Sequence, residues 1–204
     1  MKIILLCFLL FITGCSSPEE NTNQIVDTND DHEFISKTEF PVDNYTVFQG
    51  FAEANPGFDY KYHCADDVFA SAGTPVKSMA DGTVSYSGSM GGYGWLITID
   101  HEEDSVYSLY GHLSTKRGKV STGEKVKSGL VIAYVADDDE DGSGPIDGSG
   151  QYIYWTPHLH FSVRKGKISD FPSGEDDRWM AGYTRLHPTK FGWLNPLEYI
   201  NSKK

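Results

Sequence analysis

Between residues 74 and 163 the chain consists of short runs in which apolar and small polar residues alternate. Gly, Asp and Ser break the runs at brief intervals. Alternation with period 2 marks a strand with one buried face. Residues 74–79, 82–86, 95–99, 105–110, 130–135 and 158–163 each suit a strand. Asp81-Gly82 and Gly91-Gly92 suit tight turns. No long stretch carries apolar residues at helical spacing, and no internal repeat is visible. A short helical turn near residues 196–200 is the exception, with Asn195 as its N-cap and Pro196 at its first position. The pattern predicts an all-β, mainly antiparallel domain.

The N-terminal region departs from this pattern. Lys2 precedes an apolar run, residues 3–12, that is too short to span a bilayer permanently. A positive start, an apolar stretch and small residues at its end read as a secretory signal. The run closes on Ile12-Thr13-Gly14-Cys15, which resembles a bacterial lipobox. The expectation is a lipoprotein signal peptide over residues 1–14, cut before Cys15, which then carries the lipid. Acyl chains hold a protein to a membrane at about 0.8 kcal/mol per buried CH₂. The chain is therefore expected in the cell envelope, facing the periplasm or the cell surface. Residues 15–40 are rich in Ser, Glu, Asn, Thr and Asp and hold few apolar groups, so they read as a lipidated cysteine and a disordered tether. Residues 41–204 are long enough for one domain with a proper core.

A formal net charge of −12 argues against a nucleic-acid partner. Of the three cysteines, Cys7 would leave with the signal and Cys15 would be acylated. Cys64 then has no disulfide partner and reads as a small buried residue.

Candidate chemistry gathers on histidines. His158 and His160, two apart on a strand, share one face, while Leu159 and Phe161 point to the other, where a core would lie. In His63-Cys64-Ala65-Asp66-Asp67, an extended backbone puts His63 and Asp67 on one face and turns Cys64 and Asp66 away. His63, Asp67 and one histidine of the His158-Leu159-His160 pair make a His₂Asp set. Such a set suits Zn²⁺ and leaves a fourth position for water. His112, in Tyr110-Gly111-His112-Leu113, ends an alternating strand where a turn could present it to a groove.

Together these pieces resemble the lysostaphin-like (LytM-type) zinc endopeptidases of bacterial cell walls. The likeness is carried by HCADD at 63–67, GTPVKSMADGTV at 73–84, GGYGWLITIDH at 91–101, SLYGHLS at 108–114 and TPHLHFSV at 156–163. A weaker likeness lies in WLNPLEYI at 193–200. Each piece is weak alone, and five in order are specific. The resemblance implies a compact antiparallel β domain with an open groove, one zinc ion held by His63, Asp67 and His160, and catalytic roles for His112 and His158. It also implies hydrolysis of a peptide bond in peptidoglycan stems or cross-links. A non-catalytic envelope lipoprotein of the same fold, binding the wall or activating a separate hydrolase, is the second reading. Loss of ligands would be its usual mark, and this chain keeps them all. A cupin, another fold with His-x-His ligands, would want a glutamate soon after the pair, where Ser162, Val163 and Arg164 stand.

The chain departs from the family pattern in places. Ala65 stands where glycine is common, and Gln151 to Pro157 replaces a glycine-rich turn. An acidic, glycine-rich insertion covers residues 137–150, and residues 165–190 are unusually long, with aromatic residues that include Tyr183. These segments are expected to flank or cover the groove. Asp137, Asp139, Asp141 and Gly142 resemble the start of a calcium loop, but the twelfth position is Gly148 rather than glutamate, so the segment reads as a solvated loop. His32, His101 and His187 read as structural or surface residues, His101 in a turn after a strand. No Gly-x-Ser-x-Gly elbow accompanies Ser105, Ser108 or Ser114.

Overall fold

The runs of alternation become strands, and every strand pair among the described residues is antiparallel. The computed structural model describes residues 37–140, 142–145, 152–154, 156–171 and 176–204. The expected signal peptide, Cys15 and most of the tether lie outside them. The strands are β1 (Val47–Gln49), β2 (Ala54–Asn55), β3 (Lys61–His63), β4 (Asp66–Phe69), β5 (Pro75–Lys77), β6 (Gly82–Met90), β7 (Gly94–His101) and β8 (Val106–Leu113). They continue as β9 (Lys125–Val126), β10 (Val131–Tyr134), β11 (Gly142–Pro145), β12 (Tyr152–Tyr154), β13 (His158–Lys165), β14 (Tyr183–Thr184) and β15 (Trp193–Leu194). One helix, α1 (Pro196–Ser202), follows, and Asn195 caps it by accepting the Glu198 amide at 3.2 Å. The all-β architecture is as the alternation predicts.

The central sheet is eight-stranded, ordered β1-β4-β13-β8-β7-β6-β9, with β15 also paired to β13. On one face Ile97, Ile99, Val106, Tyr110, Leu159, Phe161 and Val163 pack with Val76, Ile132, Ala133 and Ile200. Their strand neighbours Leu96, Tyr107 and Leu109 turn to the other face and pack with Tyr93, Ala181 and Trp193. Fully burying a side chain of this kind contributes about 1.5–3 kcal/mol. Because both faces are covered, every residue of β8 is buried.

The second face is covered by the stretch after residue 176, and its backbone is pinned from below. Arg164 Nη1 donates to the carbonyls of Asp177 at 3.0 Å and Arg178 at 3.1 Å. Tyr107 Oη donates to Trp179 O at 2.7 Å, and Tyr93 Oη to Met180 O at 3.0 Å. Arg164 is fully buried, with its guanidinium 3.4 Å from the centre of the Phe171 ring and its Nε donating to Phe191 O. This stretch, which we call the strap, then pairs as β14 with β3 and forms a small sheet with β2.

Several local expectations change. Packing begins before residue 41: Thr38 is buried, the Glu39 amide donates to Met79 O at 2.7 Å, and Phe40 lies against Tyr45. His101 is the last residue of β7 rather than part of a turn, buried with Nδ1 2.8 Å from Asp81 O and Nε2 2.7 Å from Ser108 Oγ. The start of the acidic insertion is a tied knot rather than a solvated loop. The Glu140 carboxylate is sealed from solvent and accepts from Ser114 Oγ and the amides of Lys116 and Asp137. Arg117 pairs with Asp137, and Lys116 with Asp139. The carboxylates of the calcium-like pattern at 137 and 139 are thus already partnered, while Asp141 and Gly148 lie outside the described residues. Among the described residues no helix is long and apolar enough to cross a membrane.

Candidate metal centre

His160 enters the site from β13, where alternation sends Leu159 and Phe161 into the core and His158, His160 and Ser162 to the opposite face. The adjoining strand β4 supplies Asp67, the cross-strand partner of His160. His63 arrives from elsewhere: it ends β3, in the small sheet, and a bend at Cys64-Ala65 carries the chain into β4. The His63–Asp67 pair is therefore brought together by two strands of two sheets, not by one extended segment. Cys64 turns away as expected, with Sγ 3.7 Å from Thr184 Oγ1. Burial pushes its thiol up to about 12, which keeps it protonated. Ala65 is fully buried and has no left-handed backbone that would demand glycine.

Three ligand atoms converge. His160 Nδ1 lies 2.9 Å from Asp67 Oδ1 and 3.3 Å from His63 Nε2, and His63 Nε2 lies 3.5 Å from the same Asp67 oxygen. All three residues are buried. Burial by itself would raise the Asp67 carboxyl. The hydrogen bond and charge of His160, with the charges of His63 and His158, outweigh it and hold Asp67 well below the usual carboxylate range. Burial pushes His63 down to about 4, against the pull of Asp67. Two imidazole nitrogens and a carboxylate oxygen gathered this closely suit a divalent cation of the zinc type. Ser162 Oγ, 3.4 Å from His160 Nε2, can hold the far side of that ring.

His158 is close to this trio but turned differently. Its Nδ1 lies 2.6 Å from the Thr156 carbonyl, which can only accept, so Nδ1 carries the proton. Nε2 is then the basic nitrogen, 3.8 Å from Asp67 Oδ1. Burial and the neighbouring His112 push this ring down to about 4, so it is neutral at neutral pH. His112 faces it with ring centres 4.3 Å apart. His112 lies inside β8 rather than in a turn, at φ +60°. A left-handed residue of this kind costs about 1–2 kcal/mol. The conformation is held by the His112 amide donating to Tyr93 O and by the Ala136 amide donating to His112 O, both within 2.9 Å. It breaks the strand's alternation and aims His112 at the site.

Sequence reading missed Tyr93, whose ring touches those of His160 and His112 at 5.2 and 6.1 Å. An aromatic among three glycines, Gly91-Gly92-Tyr93-Gly94, was the available signal. It also missed Phe48, 5.4 Å from His158, and Gln49. Tyr183, noted only as one aromatic in a long segment, has its ring 4.9 Å from that of His63.

An antiparallel sheet bearing a buried His-Asp-His cluster beside two further histidines defines a domain of the metallopeptidase type. The sequence profile of Peptidase family M23 matches residues 61–172. The chain belongs to that family. It is 35% identical over 106 residues to the DD-carboxypeptidase/endopeptidase Mpg of Neisseria meningitidis, covering 52% of this chain and 20% of the relative. It is 34% identical over 98 residues to the murein hydrolase activator EnvC of Escherichia coli, covering 48% of this chain and 20% of EnvC. The chain thus spans about a fifth of the length of these curated relatives. The fold is similar to that of the antimicrobial peptidase lysostaphin from Staphylococcus simulans. That likeness has a TM-score of 0.55 at 20% identity, over 82% of this chain and 55% of lysostaphin.

Proposed function

We propose that this chain is a zinc metalloendopeptidase of the cell envelope that hydrolyses peptide bonds in peptidoglycan stems or cross-links. The observation that carries the reading is the convergence of His63 Nε2, Asp67 Oδ1 and His160 Nδ1, with a basic His158 nitrogen beside them. His63, Asp67 and His160 would hold the ion. When bound, zinc supplies Lewis acidity toward a carbonyl and lowers the pKa of water to about 7.

The remaining work falls to the chain's own groups. The Thr156 carbonyl fixes the His158 tautomer, so Nε2 is the acceptor that takes a proton from the attacking water and returns it to the departing amine. His112, held in its left-handed conformation opposite His158, donates to the oxygen on which negative charge develops. The buried Asp67 carboxylate stays ionised and balances the charge of the site. In the same proposal Cys15 carries the lipid, and the residues after it tether the domain to a membrane of the envelope.

A second reading has one specific support, the likeness to EnvC: the chain would bind peptidoglycan or activate another hydrolase without cutting. Purified peptidoglycan incubated with the zinc-loaded protein and analysed by mass spectrometry separates the two. New peptide termini are expected. Unchanged muropeptides would leave the second reading in place.

A further inference from the structure

Two residues flank the candidate ligands from outside the stretch that matches the family. Gln49 of β1 is the cross-strand partner of Asp67, and Tyr183 of β14 is the cross-strand partner of His63. Both lie beyond residues 61–172. They meet over Asn55. Asn55 Nδ2 donates to Gln49 Oε1 at 3.3 Å and to Tyr183 Oη at 3.1 Å, and Tyr183 Oη donates to Gln49 Oε1 at 3.3 Å.

The orientation of each group in this triangle follows from one backbone amide. Gly57 N–H donates to the Asn55 side chain at 2.8 Å, and an N–H cannot accept. The atom facing it is therefore Asn55 Oδ1, and the amide nitrogen points to Gln49 and Tyr183. A donor there requires that Gln49 present its oxygen. Tyr183 then adds a second donor to the same oxygen. The two hydrogens on Gln49 Nε2 are left without a partner among the described residues. Gln49 is half-buried, and its nitrogen is not among the sealed unpartnered atoms. A carboxamide whose oxygen is held twice, and whose nitrogen stays open to solvent next to Asp67, is a preorganised donor.

The neighbouring geometry points to the acceptor. Pairing of β1 with β4 is irregular between Val47 and Gln49, a bulge that places Phe48 against His158 and Gln49 toward Tyr183 and His63. The Phe48 ring is 45% exposed and rests on Phe69. Strand β1 therefore borders the site along its length, with an apolar plate at the His158 end and a polar donor at the His63 end. It is also the terminal strand of the central sheet. An extended peptide lying along such an edge presents carbonyl oxygens at regular intervals.

We propose that Gln49 Nε2 binds a main-chain carbonyl oxygen of the peptide substrate on the His63 side of the scissile bond, and that Asn55 and Tyr183 are positioning residues for it. The proposal rests on the peptidase reading. Gln49→Glu keeps an oxygen for Asn55 and Tyr183 but replaces the donor with an acceptor. Gln49→Met keeps the length and removes both. Asn55→Asp still accepts from Gly57 but cannot donate, so the Gln49 carboxamide turns over and shows its oxygen to the groove. All three are expected to raise KM for soluble dimeric muropeptides about five- to tenfold, the worth of one lost hydrogen bond, with kcat changed far less. Zinc per chain should stay at the wild-type value.

Binding of the same muropeptides is measured in zinc-loaded His158→Ala protein with and without each change, so that nothing is consumed. Weaker binding in all three supports the donor. If the wild type cuts and Gln49→Glu and Gln49→Met bind and turn over within twofold of their parents, the donor assignment is wrong while the peptidase reading stands. If the parent binds, the variants bind more weakly and the wild type never cuts, the peptidase reading fails and Gln49 survives as a peptide-binding contact. If the wild type neither binds nor cuts these muropeptides, both readings fail.

Discussion

The ring of Tyr93 stands edge-on to the imidazole of His160, centroids 5.2 Å apart, in a slot that exists because Gly111 has no side chain. A Cβ on Gly111 would lie 2.6 Å from the Tyr93 ring. The Tyr93 hydroxyl reaches past His160 to the Met180 carbonyl of the strap. Tyr93→Phe should therefore cost about 0.5–1.5 kcal/mol of stability, the net worth of one hydrogen bond, and leave zinc content intact. Tyr93→Ala removes the ring as well and should cost about 3–5 kcal/mol. Urea unfolding of the zinc-loaded variants measures both, and equal losses would refute the division between ring and hydroxyl.

His160→Ala and Asp67→Ala should each abolish stoichiometric zinc. Metal analysis after dialysis checks this, and a retained one-to-one ratio would remove either residue from the ligand set. Chelation of wild-type protein should lower its thermal midpoint, since zinc at a hundredfold excess over its dissociation constant adds about 2.7 kcal/mol.

His158→Ala should keep zinc and lose turnover by about 10²–10⁴-fold, the usual contribution of a general base. Peptidoglycan digestion followed by mass spectrometry reads the rate, and an active variant would move the proton-transfer role elsewhere.

Stability should fall with acid partly through His101, whose ring nitrogens bond to Asp81 O and Ser108 Oγ rather than to the candidate ligands. Burial lowers its pKa from the ordinary 6.5, against the Asp81 carbonyl and the charges of Asp104 and Asp81. The unfolded chain thus binds a proton at a pH where the folded chain does not. Stability from this group is complete above pH 6.5 and drains as pH falls toward the folded pKa. Denaturant midpoints at pH 7.5 and 5.0 should differ less in His101→Gln than in the wild type. An unchanged difference would rule His101 out.

Cys15→Ser should release the protein from membranes into the soluble fraction. Fractionation of cells expressing each form tests this. Persistent membrane association of the unacylated protein would overturn lipid anchoring.

The strand that carries His158 and His160 was legible because a period of 2 is a local property: Leu159 and Phe161 mark the core side within four residues. The Asn195 cap was legible for the same reason. His63 and Asp67 were found by spacing, although the expected single strand is two strands meeting at a bend. What escaped reading is assembled over long distances. Gln49 and Tyr183 are 134 positions apart and meet only once β1 and β14 have paired with neighbouring strands. Tyr93 reaches Met180 across 87 positions. The left-handed backbone of His112 follows from hydrogen bonds to Tyr93 and Ala136, which no local pattern encodes.

The strap is gripped by its carbonyl oxygens at 177 to 180, which Arg164, Tyr107 and Tyr93 engage from the sheet below. A carbonyl is common to all twenty amino acids. The grip therefore fixes the path of residues 177–180 through groups that any side chain leaves in place, while the buried Ala181 and the tight fit of Gly182, where a Cβ would lie 2.9 Å from Tyr93 Oη, hold the next step toward Tyr183 beside His63. Variation in what the site accepts can then be written into residues 177–180 at little structural risk, provided the arginine and the two tyrosines beneath them, and the small residues Ala181 and Gly182, are kept.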